Sequence, residues 1–295
     1  MYVSGTETTA AVADTLQHAA HGGGNTFATL LHHVQDSHEL HLPFLTIELP
    51  HLPSFTLAGI TFDMSITKHV VFLWFAAFML CLVAILVARR NARRDVPHGF
   101  GNVLEAMILF VRDDIVLPNM GTAGLKYMPY LLTTFFYILL MNLLGLIPYG
   151  ASATGNVNVT AGLAIIAFVM IQAAAIRAQG FKHYLAHLTG GVHWSLWPIM
   201  IPIEVLGLFT KPFALCIRLF ANMTGGHIVL VSLIGLIFIF KSYIIAVAPA
   251  GFVVAINFLE LFVAFLQAYI FTMLTSLFMG LGMPAEAHGA ESHEH

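Results

Sequence analysis

The sequence predicts an all-α integral membrane protein. Its order is an N-terminal span, an interfacial amphipathic helix, two further spans, then two long, strongly tilted membrane helices forming a hairpin. Three observations carry this. Of 295 residues, 58% are hydrophobic and only 9% charged, against about 25% charged in soluble domains, so lipid rather than water is the solvent. Apolar runs of about 20 residues recur, the length that crosses a hydrocarbon core of ~30 Å. The last two runs are each about twice that length. The net charge of −3 says less than where the charges sit, and nothing in the chain suits nucleic acid.

The chain divides into a polar extension at 1–66, a membrane domain at 67–282 and a tail at 283–295. The extension carries His32, His33, Asp36 and His38. A zinc site is one reading of these, but their spacing fits no zinc motif. Pro43, Pro50 and Pro53 favour extended chain over a ligand-bearing helix, so a solvated or interfacial segment is expected. Met1 is followed by no basic stretch, and Lys68 is the first basic residue, which argues against a signal peptide.

The first span, 70–88, stops at RRNARR, four arginines over six positions. Basic flanks prefer the cytoplasm, so the N-terminus is expected outside and Arg89–Arg94 inside. Residues 102–118 interleave Glu105, Arg112, Asp113 and Asp114 with apolar positions, the pattern of a helix lying in the interface. A second crossing covers 130–148. A third begins near Val157 and ends at Arg177, Lys182 and His183, again a basic flank. The runs Pro198–Phe240 and Tyr243–Leu281 are each either two short helices or one long tilted helix. No polar cluster interrupts 255–281, which favours one long helix there. The tail PAEAHGAESHEH is polar and expected to be disordered. Cys81 and Cys216 lie inside apolar runs and read as packing residues.

Between Ile115 and Ala285 the only acids are Glu204 and Glu260, and between His183 and Ala285 the only lysines and arginines are Lys211, Arg218 and Lys241. An arginine at the centre of a span costs roughly 2.5–3.5 kcal/mol on insertion scales, and such groups face a protein interior or a water cavity. On a helix, Glu204, Lys211 and Arg218 share one face, with Pro212 a local bending point. Asn222, four residues on, lies beside Arg218. His227 falls on the opposite face. Glu260 and Gln267, seven apart, share a face of the last helix. Glu204 is ~21 Å from Arg218 along the helix axis, and Glu260 reaches Arg218 only if the two helices pack suitably. The guanidinium therefore meets water or an acid of another chain. It cannot release its proton, but it lowers the pKa of a carboxyl group that approaches. His227, Glu260 and Glu204 can change protonation state. Together they read as a proton path with an electrostatic gate, while Lys211 and Lys241 read as interface anchors. Ala221, Gly225 and Gly226 permit close approach of another helix, either a partner's or the chain's own.

The run KPFALCIRLFANMTGGH at 211–227 resembles the signature of subunit a of the rotary F-type ATP synthase. So do MNLLGLIP at 141–148, NVNVT at 156–160, IEVLGLFTKP at 203–212 and LQAYIFTMLTSLF at 266–278, in order over about 65–282. The resemblance implies a proton-conducting stator subunit without an active site or cofactor of its own. Its partners would be the c-subunit ring, the b-subunit stalk, the other subunits of the complex, the bilayer and protons. It implies two half-channels: Arg218 as gate, Asn222, His227, Glu260 and Gln267 lining the inlet, Glu204 at the outlet. In some family members the histidine and acid at 227 and 260 are exchanged; here the pair is kept with its members swapped, which favours protons as the coupling ion. A bacterial plasma (inner) membrane is implied, with the C-terminus cytoplasmic. No GxxxxGK[ST] phosphate loop occurs. The competing readings are a self-contained transporter using an Arg218–Glu260 pair, for which inverted repeats are lacking, and a purely structural subunit, which leaves Arg218 unexplained.

Overall fold

The computed structural model describes residues 39–42, 45–48, 55–57, 60–62, 67–91, 99–147, 153–181, 184, 197–240 and 243–283. The candidate zinc ligands and the tail beyond Met283 therefore lie outside the described residues, as does Lys241. The chain divides into two compact units. The larger comprises His69–Ala221 and Val263–His295, the smaller Met1–Lys68 and Asn222–Phe262.

The helical expectation holds for the membrane segments, and two short hairpins add to it within the extension. β1 (Glu39–Leu42) pairs antiparallel with β2 (Leu45–Glu48), Leu42 opposite Leu45. β3 (Phe55–Leu57) pairs with β4 (Ile60–Phe62). The strands alternate polar and apolar residues and are rich in Thr and Ile, which suit a pleated surface.

The larger unit begins within α1 (Lys68–Asn91), whose last turn carries Arg89 and Arg90. The expected amphipathic helix is longer than predicted and irregular. α2 (Phe100–Phe110) passes into a π-helical turn (Val111–Val116) and then α3 (Leu117–Met120). Pro118 supplies the cause: it has no N–H to give to a preceding carbonyl, and the ladder widens so that Leu117 N–H donates to Arg112 O. Val111, Ile115 and Val116 are fully buried, while Glu105, Asp113 and Asp114 are exposed. Arg112 Nε donates to Asp113 Oδ1 at 2.7 Å. That hydrogen bond and the adjoining positive charge hold the Asp113 carboxyl below its usual range.

α4 (Met128–Gly145) and α5 (Val157–Gln179) follow the second and third expected crossings within a few residues. The NVNVT stretch starts α5 because Asn156 caps it, its side chain accepting from Asn158 N–H at 2.9 Å. The last two runs resolve the sequence's alternative. Each is one helix: α6 (Trp197–Phe240) runs through Pro202 and Pro212, and α7 (Tyr243–Leu281) through Pro249. Among the described residues, five helices are long and apolar enough to cross a membrane. The chain is a multi-pass membrane protein.

The core of the larger unit centres on Phe135 of α4. Its ring meets Phe265 of α7 edge-on at 5.8 Å and Phe110 of α2 at 6.4 Å. Leu215 and Leu219 of α6 and Phe271 and Met279 of α7 join it. Close backbone contact locks α7 to α3: a Cβ on Gly280 would collide with Asn119 O. Beside it Ile115 O, at the widened turn, accepts from Asn119 Nδ2 at 2.7 Å and Ser276 Oγ at 3.2 Å.

Candidate functional site

In the smaller unit, α6 beyond Asn222 and α7 up to Phe262 bring His227 and Glu260 together. Nδ1 of His227 lies 3.7 Å from Oε1 of Glu260, with side chains 22% and 10% exposed. Nδ1 and both carboxylate oxygens are buried without a hydrogen-bond partner among the described residues. Buried polar atoms are nearly always paired, so three orphans at one spot mark it as unusual. Gly226 makes the arrangement possible. A Cβ there would land on the Glu260 carboxylate. Of the two readings left open for these glycines, Gly226 therefore serves the chain's own packing, whereas Gly225 is exposed with nothing within 4 Å of its Cβ position. Asn222 and Ala221 are exposed as well.

In the larger unit, Arg218 is exposed while its neighbours Leu215, Cys216 and Leu219 are buried. α6 thus turns these three residues to the core and the guanidinium away from it. Among the described residues no ion pair reaches Arg218. Lys211, one of the expected anchors, sits half-buried with Nζ 4.9 Å from the Phe278 ring centroid, a cation–π contact with α7. Cys216 is buried beside Thr160 Oγ1, 3.4 Å away, and both Cys81 and Cys216 are free thiols.

Glu204 is half-buried near the start of α6. Tyr184 donates its hydroxyl to Gln172 Oε1 at 2.8 Å. Burial, and then the negative charge of Glu204, push the Tyr184 phenol above its ordinary range. Gln267 is 4% exposed and shares a face of α7 with buried Ala264, Ala268 and Phe271. No group of three or more metal-ligating side chains occurs among the described residues.

Residues 70–280 match the family described as ATP synthase A chain. The chain belongs to that family. It is similar to ATP synthase subunit a of Chloroherpeton thalassium, 51% identical over 268 residues, covering 90% of this chain and 79% of that one. ATP synthase subunit a of Chlorobium phaeobacteroides is 52% identical over 276 residues, 92% and 80% of the two chains. That of Myxococcus xanthus is 52% identical over 235 residues, 79% and 77%. Membership in the ATP synthase A chain family implies a proton-translocating component of the membrane sector, a membrane subunit rather than a catalytic one.

Two polar groups escaped the reading of charges because neither is charged. Asn142 of α4 is 1% exposed, and its Nδ2 donates to Ala264 O at 3.3 Å. Thr154 donates to Asn142 Oδ1 at 2.7 Å. The signal was present in MNLLGLIP as an asparagine inside an apolar run.

Proposed function

We propose that the chain is the stator subunit that feeds protons to and from a ring of c subunits through two offset half-channels, with Arg218 as the electrostatic gate. The observation that carries this is the exposure of a permanent cation on a membrane helix with no acid of its own chain paired to it among the described residues. Such a charge needs a partner in a low-dielectric setting, and a carboxylate on a passing ring supplies one. An opposite charge within ~4–6 Å lowers a carboxyl pKa by about 1–3 units. Arg218 therefore drives each arriving carboxylic acid to release its proton, and it keeps the two half-channels electrically apart.

His227 and Glu260 form the relay of the inlet, together with Asn222 and Gln267. A histidine and an acid 3.7 Å apart need to close by less than ~1 Å to share a hydrogen bond of ordinary length and pass a proton directly, and their orphaned buried atoms suit that role. Glu204 serves the outlet, ~21 Å along α6 from Arg218. A helix of 44 residues is ~66 Å long, about twice the hydrocarbon core, so α6 and α7 cross strongly tilted and follow the ring's curved flank. The partners are the c ring, the b stalk and the remaining subunits, in a bacterial inner membrane, with the N-terminus outside and the C-terminus cytoplasmic. Residues 1–66 form an extension to the membrane domain at 67–282.

Passive proton flux into vesicles, with and without the ring, tests the reading. Flux is expected only when the ring is present. Flux through this chain alone would make it a self-contained transporter.

A further inference from the structure

The buried bond from Asn142 to Ala264 O lies outside the set of charged groups used above, and its position on α7 gives it a function. In lipid, apolar faces slide past one another with little directional preference, and interhelical hydrogen bonds and close small-residue contacts fix rotation and depth. Among the described residues, hydrogen bonds at three places tie α7 and the residue just after it to their neighbours in the larger unit. Gln179 Nε2 donates to Gly282 O at 2.8 Å, Ser276 donates to Ile115 O, and Asn142 donates to Ala264 O. Two of them hold the C-terminal end of α7. The third sits 18 residues, or ~27 Å, before Gly282, three residues from Gln267 and one turn after Glu260. A rotation by one residue would swing a side chain by ~100°.

The asparagine amide is itself oriented. Thr154, fully buried, donates to Oδ1, which leaves Nδ2 pointing at α7. Ala264 is 2% exposed and Gln267 4%, so the bond acts where α7 is closely packed and where small displacements move a polar group directly. A carbonyl has two lone pairs, so Ala264 O accepts from Asn142 without giving up its place in the helix.

Resting on the functional reading above, we propose that Asn142, held by Thr154, is a positioning residue of the inlet half-channel: it sets the rotation and depth of α7 at Ala264 and so places Gln267. Proton delivery then depends on a hydroxyl and an amide that never carry the proton. Misplacing a group by ~1 Å costs up to about 100-fold in rate where geometry governs a transfer.

The test uses the complete complex in vesicles, with ATP synthesis driven by an acid–base jump at varied inlet-side pH. Thr154→Val and Asn142→Leu are expected to assemble and to need about threefold or more additional protons for half-maximal rate, with the maximal rate changed less. Thr154→Ser is expected to restore the profile. Unchanged inlet profiles in assembled Thr154→Val and Asn142→Leu would overturn the proposal. So would loss of assembly in both, which would make the pair a folding device only. Arg218→Ala, run alongside, separates the two levels. If it pumps normally the functional reading fails; if it is blocked while the Asn142 and Thr154 profiles are unchanged, only the positioning role fails.

Discussion

Gly226 and Glu260 illustrate how narrowly the paired site is built. The carboxylate occupies the space that any side chain at 226 would need. Because the colliding atoms are the far end of a flexible side chain, Gly226→Ala is expected to leave the fold intact and displace the carboxylate from His227. Proton-driven ATP synthesis should fall several-fold while the assembled complex is recovered in normal amount. Glu260→Gln keeps the shape and removes the titratable group, so inlet flux measured by a pH-sensitive dye in vesicles is expected to slow. Unchanged flux would make Glu260 a packing residue. The exposed Arg112–Asp113 pair carries its own pH signature. Its carboxyl is lowered, so its contribution is present above the ordinary carboxyl range, ~3.9, and disappears as pH falls through the lowered value.

At the scale of elements, the C-terminal part of α7 meets α3 backbone to backbone. Gly280→Ala drives a Cβ into Asn119 O, which cannot rotate away. We expect a marked loss of thermal stability in the purified complex, whereas Gly162→Ala, with open space at its Cβ position, should be neutral. Most elements were legible in the sequence because a membrane span depends on a single property, apolarity over a fixed length. The long runs at 198–240 and 243–281 were read to within a residue or so. The π-helical turn was not, since a proline at 118 is compatible with a break, a kink or a widened turn. The hairpins of 39–62 were foreshadowed by prolines only as extended chain.

For the whole molecule, the charges told more than the hydrophobic pattern. Arg218, His227 and Glu260 stood out as costly in lipid, and the structure brings the last two to 3.7 Å. Asn142 and Thr154 did not stand out, because a neutral polar residue in an apolar run is common and its partner lies 12 residues away in sequence and 122 for Ala264. Residues 1–40 carry no part of the proposed path. Their deletion is expected to leave proton transport unchanged in reconstituted complex, and a loss would bring the extension into the channel. The most direct measurement is ATP-driven proton pumping by the complex carrying Arg218→Ala, assayed by fluorescence quenching in sealed vesicles. Pumping is expected to vanish although the complex assembles; pumping at the unmodified rate would contradict the role assigned to that cation.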